Sequence, residues 1–367
     1  MRLLKNGTEA FAELLSCMAS AKKTIHINMF IWRDDAIGRR MASALLDAAD
    51  RGVSCFVSLD RVGALFEYAE ESRSSLFHKS LPLPERLTAC GLSLLYPHNR
   101  GKKEDGREGN ALYARLSSHP RITLDTGRRK SDHSKYYVFD DRVLILGGVN
   151  IEDKENGVDA RGLYYQDYMV RLDGEEFVSA FYASRERRAA SLSDPLFLFN
   201  QKEPTPRFPI PPAYTALINE AERELTIVMA YFSDIRPYRQ AILDAAARGV
   251  AVSVVLSGNA NFQDSANKRS ARDLMRASDD RVRVFLSPLM LHTKLVLTEK
   301  AVCLGSCNMA HRSHTSLDEL NLLSRDAALI DEVREDVTKT IAGAHSVSSY
   351  RELTYPPLKA VLEGLLS

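Results

Sequence analysis

Two short stretches of the chain carry the same reactive residue types in the same order. Each has a histidine, a lysine two residues further on, and a glycine-containing segment that ends in an asparagine. The residues are His133, Lys135 and Asn150 in the first copy, and His292, Lys294 and Asn308 in the second. Residues two apart on a β-strand lie on one face, so each imidazole is expected beside an ammonium group. The pattern predicts a site that holds an anion.

Phosphodiester chemistry needs a nucleophile, a proton donor for the leaving oxygen, and fixed positive charge around the phosphate. A neutral imidazole can attack phosphorus and form a phosphohistidine, while a second, protonated imidazole protonates the leaving alkoxide. The lysine and the asparagine of each copy would hold the non-bridging oxygens. Two half-sites that face each other across a pseudo-twofold axis would supply every required group without a metal or a cofactor.

Each histidine also needs a carboxylate that fixes its tautomer and orientation. The candidates are Asp167, in an alternating stretch that predicts a strand, and Glu319, which follows the second motif. A metal site is the weaker interpretation, because each histidine has a lysine rather than a second ligand close by. A single His-x-Lys pattern means little, and it is the repetition of the whole set in order that gives the pattern weight.

The composition is that of a soluble globular protein long enough for two domains. The 367 residues are 26% charged and 45% apolar, with a net charge of +1. This balance weighs against a dedicated nucleic-acid binder. The five scattered cysteines form no CxxC pair, which predicts reduced thiols in the cytoplasm. No run of about 18 apolar residues occurs, so any membrane contact is expected to be peripheral.

The opening segment alternates between helix and strand patterns. We expect a helix over 11–21, a strand over 24–32, a helix over 37–50 and a strand over 53–59. Asp34 and Asp35 precede the second helix and are candidates for its N-cap. The alternation predicts an α/β fold.

The chain contains an internal duplication. Residues 44–53 resemble 241–250 at an offset of 197 residues, whereas the two motif histidines are separated by 159. The first half therefore holds 38 extra residues, the difference between these offsets, and they must lie between Asp60 and Ser131. We expect substrate choice to reside in this insertion.

A proline-rich segment is the candidate boundary between the halves. We predict a first lobe over 1–200, a linker over 201–212 and a second lobe over 213–367. The linker contains five prolines and is expected to be neither helix nor central strand. The apolar run 196–199 is interpreted as a strand or a segment packed on the other half, in preference to a membrane anchor.

The motif residues resemble the paired HKD motifs of the phospholipase D superfamily, and the resemblance covers nearly the whole chain. Asp140 matches the aspartate of the first HKD motif, at a position that looks structural in the superfamily. In the second motif, Glu299 stands where the superfamily usually has this aspartate. Several segments are similar to bacterial cardiolipin synthases. These segments are Phe30–Trp32, 147–151, 166–174, 305–308 and Arg312-Ser313.

The resemblance implies two α/β/α lobes related by a pseudo-twofold axis, each a mixed sheet flanked by helices, with the active site at the lobe interface. It makes His133 the nucleophile and His292 the general acid and then base. Phosphate would be bound by Lys135, Lys294, Asn150 and Asn308, and the histidines would be oriented by Asp167 and Glu319. We also expect Gly148 and Ser306, two residues before the asparagines, to bind substrate.

The implied function is metal-independent phosphatidyl transfer or hydrolysis on glycerophospholipids. Cardiolipin synthesis from phosphatidylglycerol is the first expectation, and hydrolysis to phosphatidic acid uses the same residues. The partners would be the phospholipid and a membrane surface, with the protein in the cytoplasm and peripherally associated. A monomer would suffice, since both motifs lie on one chain.

Two alternatives remain open at the level of sequence. One is a nuclease of the same superfamily that uses basic residues of the insertion, namely Lys102, Lys103, Arg128, Arg129 and Lys130. The other is a non-catalytic scaffold, against which the intact motif residues in both halves argue.

Overall fold

The computed structural model describes residues 1–71, 75–78, 81–93, 96, 107–127, 130–159 and 162–366. It divides into two compact units, Met1–Tyr182 and Ala183–Ser367. Each unit contains a mixed β-sheet flanked by helices, which confirms the predicted α/β class.

The first unit holds the following elements in chain order: β1 (Arg2–Lys5), α1 (Asn6–Ser20), β2 (Thr24–Met29), α2 (Ala36–Asp50), β3 (Ser54–Leu59), α3 (Arg61–Glu71), α4 (Leu83–Ser93), α5 (Arg107–Ser118), β4 (Ile122–Asp125), β5 (Lys135–Phe139), β6 (Val143–Gly147), a 3-10 turn (Asp153–Glu155), β7 (Tyr165–Gln166), β8 (Tyr168–Asp173) and α6 (Glu175–Arg185), which contains the boundary between the units.

The sheet of the first unit has seven strands in the order β1-β8-β6-β5-β2-β3-β4. Strands β2, β3 and β4 run parallel to one another, and the remaining neighbours are antiparallel. All five residues of β5 are buried, as expected for a central strand. The strand that follows His133 is thus fixed on both sides by main-chain hydrogen bonds.

Helix α2 forms where the sequence predicts it. The Asp35 carboxylate accepts the N–H of Gly38 at 2.9 Å, which satisfies one of the free donors of the first turn. The buried face carries Ile37, Met41 and Leu45 and packs in the core of the first unit. The helix ends before Gly52, whose φ of +100° suits a residue without a side chain.

The second unit holds the following elements: β9 (Leu196–Asn200), α7 (Ile210–Glu220), β10 (Glu224–Met229), α8 (Arg239–Ala247), β11 (Ala251–Ser257), α9 (Asp264–Ala277), β12 (Arg283–Ser287), β13 (Met290–Leu291), β14 (Lys294–Thr298), β15 (Val302–Gly305), α10 (His311–Thr315), β16 (Glu319–Ser324), α11 (Ala327–Ala342), β17 (His345–Ser346), a 3-10 turn (Tyr350–Glu352) and α12 (Pro357–Leu366).

The sheet of the second unit has eight strands in the order β17-β12-β11-β10-β14-β15-β16-β9. Apart from β17, this is the order and direction of the first sheet. Strands β10, β14, β15 and β16 take the places of β2, β5, β6 and β8. The duplication visible in 44–53 and 241–250 therefore extends over the whole sheet, and both motif lysines begin the central antiparallel strand.

Strand β9 lies in the second unit, whereas the sequence interpretation placed residues up to 200 in the first lobe. It pairs antiparallel with β16, from Glu319 opposite Asn200 to Leu323 opposite Leu196. The apolar run 196–199 is thus a strand, as expected. Its main-chain partners assign it to the second unit, in the position that β1 occupies in the first.

The predicted linker is helical at its end. Helix α7 begins at Ile210, so Pro211 and Pro212 lie in its first turn. A proline is tolerated there because the N–H that it lacks would have had no partner within the helix. The expectation that 201–212 contains no helix is wrong for these last residues.

Candidate active site

The loop that carries His133 is held from two sides. The carboxylate of Asp60, which follows β3, accepts the backbone N–H of Asp132 at 2.7 Å. The side-chain amide of Asn28, on β2, donates to the carbonyl oxygen of Ser134 at 3.0 Å and to Asp132 Oδ2 at 3.1 Å. Two neighbouring strands therefore fix the backbone on either side of the histidine.

The side chains of His133 and Lys135 both contact Phe30. The imidazole lies edge-on to the Phe30 ring, with 4.7 Å between ring centroids and an interplanar angle of 77°. Lys135 Nζ lies 5.3 Å from the Phe30 centroid and donates to the carbonyl oxygen of His133 at 2.5 Å. The lysine is fully buried, in a low-dielectric surrounding where a charge acts strongly on its neighbours.

The second motif repeats this local arrangement. Lys294 is buried, and its ammonium group donates to the carbonyl oxygen of His292. The intervening Thr293 accepts the N–H of Ala230 at 2.8 Å through its carbonyl oxygen. In each unit the lysine ammonium group thus contacts the main chain of its motif histidine.

Both motif asparagines are buried at the end of a sheet strand. Asn308 Oδ1 accepts the N–H of Tyr231 at 3.1 Å. After Asn150, the backbone of Ile151 is bonded to the loop that follows β2, through Ile151 N to Ile31 O at 3.1 Å and Arg33 N to Ile151 O at 3.0 Å. The position of each asparagine therefore depends on the loop after the first parallel strand of its unit.

A buried ion network lies beside Asn150 in sequence and was not anticipated. Arg33 Nε donates to Glu152 Oε2 at 2.6 Å, and both side chains are buried. Arg33 also pairs with Glu70 on α3 at 2.8 Å, and Lys154 pairs with the same Glu70 carboxylate. Burial acts to raise the pKa of Glu152, but Arg33 and Lys154 outweigh it and hold the pKa below its ordinary value.

Asp167 and Glu319 are buried, and each contacts the residue two positions before the motif asparagine. The Asp167 carboxylate occupies the space beside Gly148, so a Cβ there would lie 2.2 Å from Asp167 Oδ2. Ser306 Oγ donates to Glu319 Oε2 at 2.5 Å. We expected Gly148 and Ser306 to bind substrate. In the structure, each lies against one of the two carboxylates.

Asp140 and Glu299, the third letters of the two motifs, bind backbone. Asp140 accepts the N–H groups of 22–24 at 2.6 to 2.9 Å, and Glu299 accepts those of 222–224 at 3.0 to 3.4 Å. Burial acts to raise the pKa of Asp140, but these N–H groups lower it below its ordinary value. Both carboxylates fix the turn that enters the first parallel strand, so the longer glutamate performs the same structural role.

His314, on α10, is a buried histidine that the motif analysis did not single out. Its Nε2 lies 2.9 Å from the hydroxyl of Tyr238, and burial lowers the pKa of the imidazole to about 4. It lies between Asn308 and Glu319 in the chain and is neutral at pH 7. A histidine three residues into a short helix gives no pattern by which it could have been found.

The basic residues proposed for a nuclease are only partly described. Lys130 forms an ion pair with Asp125 at 2.7 Å and donates to Ser58 Oγ at 2.7 Å. Its charge is therefore already compensated within the protein. Lys102, Lys103, Arg128 and Arg129 lie outside the described residues.

The sheet order and the duplicated motifs define the class of protein, which is the phospholipase D superfamily. The fold is similar to that of the phosphatidylserine synthase of Haemophilus influenzae Rd KW20, with a TM-score of 0.69 over 98% of this chain and 91% of that chain, at 14% identity. It is also similar to the polyphosphate kinase of Porphyromonas gingivalis, with a TM-score of 0.58 over 96% of this chain and 49% of that one, at 15% identity. At such identities the likeness concerns the fold alone.

The family model described as "Cardiolipin synthase, PLD-like domain" matches residues 14–184 and 214–341. The chain belongs to this family. It is 27% identical to cardiolipin synthase A of Pseudomonas syringae pv. syringae (strain B728a) over 95% of its length and 70% of that protein. It is 26% identical to cardiolipin synthase B of Salmonella typhi over 70% of its length and 60% of that protein. The chain thus aligns with only part of each relative.

Within the described ranges, none of the helices combines the length and the apolar character that a membrane crossing requires.

Proposed function

We propose that this protein transfers phosphatidyl groups between alcohols through a phosphohistidine on His133, and that it makes cardiolipin from phosphatidylglycerol. The observation that carries the proposal is the duplicated half-site. In each unit a buried lysine donates to the carbonyl oxygen of a histidine, and a buried carboxylate and a buried asparagine follow it. The names of the aligned relatives support phospholipid as the substrate class.

In the first step, His133 attacks the phosphorus of phosphatidylglycerol, so that a P–N bond forms and the P–O bond to the head-group glycerol breaks. His292 gives its proton to the leaving glycerol oxygen. In the second step, His292 takes the proton from the hydroxyl of a second phosphatidylglycerol, whose oxygen attacks phosphorus while the P–N bond breaks. The mechanism requires both half-sites to act on one phosphate.

The other motif residues support the charge and the geometry. Lys135 and Lys294, with the amides of Asn150 and Asn308, would hold the non-bridging oxygens as negative charge develops. Two ammonium groups supply this charge, so the proposal needs no metal. Asp167 and Glu319 would orient the histidines, and Gly148 and Ser306 would act through these carboxylates.

The test uses purified protein, phosphatidylglycerol vesicles and a chelator. Mass spectrometry should detect cardiolipin together with free glycerol, and His133→Ala should abolish both products. The exposed His345 provides a matched control, because His345→Ala removes an imidazole outside the motifs. Phosphatidylglycerol that carries the radiolabel in its phosphatidyl group should leave acid-labile label on wild-type protein quenched during turnover, and none on His133→Asn protein.

Two results would contradict the proposal. Activity that survives in both His133→Ala and His292→Ala would contradict the proposed mechanism. Cleavage of single-stranded DNA without any lipid product would favour the nuclease. Phosphatidic acid in place of cardiolipin would keep the same residues in their roles with water as the acceptor.

A further inference from the structure

Helix α12 exposes a row of large apolar side chains. Leu358 and Leu365 are each 74% exposed, Val361 is 48% exposed and Leu362 is 45% exposed. Their spacing of three, four and seven residues places all four on one side of the helix. We call this set the α12 face. A contiguous exposed apolar surface of this kind calls for an explanation, whereas single exposed leucines do not.

The opposite side of α12 is docked on the second unit. Ala360 and Glu363 are buried, and Glu363 Oε2 accepts the N–H of Ala266, in the first turn of α9, at 2.9 Å. The carboxylate thereby satisfies a helix N-terminus, which favours negative charge. The helix is consequently fixed with its small and polar residues inward and its leucines outward.

Cationic side chains border the α12 face. The guanidinium of Arg269 lies against Gly364, since a Cβ there would be 3.0 Å from Arg269 Nη2. The guanidinium of Arg272 lies 5.9 Å from the ring centroid of Tyr355, just before α12, and Lys359 on the helix is half-exposed. On α9 itself, four basic residues outnumber two acidic ones: Lys268, Arg269, Arg272 and Arg276 against Asp264 and Asp273.

We propose that the α12 face docks this protein on the surface of an anionic phospholipid bilayer. The inference rests on the proposed function in that the substrate is then a component of the docked surface. Apolar side chains enter the boundary between head groups and acyl chains, and neighbouring arginines attract anionic head groups. Helix α12 also packs against α10, which follows Asn308, so docking would bring lipid close to the second half-site.

One further observation favours a bilayer over a protein partner. The four side chains of the α12 face offer less than the roughly 800 Å² per partner that a stable protein–protein interface buries.

The test compares two matched pairs of exposed leucines. Leu358→Gln with Leu365→Gln should lower the partition of the protein onto vesicles of mixed phosphatidylcholine and phosphatidylglycerol by at least about tenfold. Leu83 and Leu87 on α4 are 69% and 66% exposed at a spacing of four, so their double glutamine variant is the control and should bind as the wild type does. Arg269→Gln with Arg272→Gln should weaken binding to the mixed vesicles and leave binding to phosphatidylcholine alone unchanged.

The outcomes separate docking from chemistry. The α12 variant should retain activity on dispersed short-chain phosphatidylglycerol and lose it on vesicles. Vesicle binding through α12 by a wild type that shows no lipid product would support docking and defeat the proposed function. Unchanged vesicle binding of the α12 variant, equal loss in the α4 control, or a dimer in analytical ultracentrifugation that the α12 variant dissociates would overturn the inference.

Discussion

The hydroxyl oxygen of Ser306 lies 2.5 Å from a carboxylate oxygen of Glu319, and both side chains are buried. A hydrogen bond to a buried charge stabilises its orientation by about 1.5–3 kcal/mol. We therefore expect Ser306→Ala to lower kcat about tenfold to a hundredfold with little change in KM, because Glu319 would hold its histidine less firmly. Steady-state kinetics measure kcat and KM separately. A raised KM at constant kcat would instead assign Ser306 to substrate binding.

In the first unit, Gly148 lies against the Asp167 carboxylate and has no side chain that could donate a hydrogen bond to it. In Gly148→Ala, the new Cβ would lie 2.2 Å from Asp167 Oδ2, so the carboxylate must move. A displacement of about 1 Å at a catalytic group can cost a hundredfold in rate, and we expect a loss of that order in kcat. Gly91→Ala on α4 is the control, since its Cβ meets nothing within 4 Å. Equal activity of the two variants would contradict the role of this close approach.

Asp140 and Glu299 bind equivalent turns at different distances, which predicts different contributions to stability. Asp140→Asn should lower the free energy of unfolding by about 1–2 kcal/mol, and Glu299→Gln by less than about 1 kcal/mol, because the bonds of Glu299 are longer. Denaturant titration measures both values.

The pH dependence provides a check on Asp140. Its folded-state pKa is lowered, so its stabilisation is complete above the unfolded pKa of about 3.9 and is lost as the pH falls through the folded value. The unfolding free energies of wild type and Asp140→Asn should converge below about pH 4. A constant difference down to lower pH would rule out the charge as the cause.

His314 should make the second unit sensitive to acid. Burial lowers its folded pKa to about 4, against about 6.5 unfolded, so the unfolded state binds more protons between these values. The stability that neutral His314 contributes is lost as the pH falls from about 6.5 to 4, by no more than about 3 kcal/mol.

The measurement is the difference in unfolding free energy between wild type and His314→Gln across this range. Other groups titrate there too. Half-buried His78, whose pKa desolvation lowers, acts in the same direction, whereas Asp35 and Glu67, whose pKa values burial raises to about 7 and about 8, act in the opposite one. Only the difference between the two proteins isolates His314, and a difference independent of pH would contradict the assignment.

The Arg33–Glu152 pair should be costly to break. Glu152→Gln would leave the buried Arg33 guanidinium with one carboxylate fewer, and the expected destabilisation is about 3 kcal/mol. Glu186→Gln is the control, since its partner Arg188 is exposed and such pairs contribute at most about 1 kcal/mol. Thermal unfolding compares the two. An equal loss of stability in the two variants would contradict a stabilising role for the buried Arg33–Glu152 pair.

The features that the sequence predicted are local. The helix over 36–50 follows from its apolar period and the aspartate before it, and β5 and β14 follow from their apolar runs. The repetition of His, Lys and Asn predicted both half-sites because the duplication preserved the order of these residues. Such signals need only the residues within one element or one motif.

The remaining features depend on partners that are distant in sequence. Arg33 and Glu152 are 119 residues apart, and nothing in either segment specifies the pairing. A surface helix ordinarily turns its apolar side inward, whereas α12 turns its leucines outward. The opposite orientation arises because Glu363 binds the first turn of α9, which only the packed structure shows.

Strand β9 runs beside β16 as β1 runs beside β8, yet β1 continues directly into α1 whereas 201–209 separate β9 from α7. The proline-rich segment therefore has no counterpart in the first repeat. β9 therefore belongs with the strands that follow it, and a split version of the protein should be divided ahead of β9. A fragment that starts at residue 213 would leave the strand that begins with Glu319 exposed along one edge and open to aggregation.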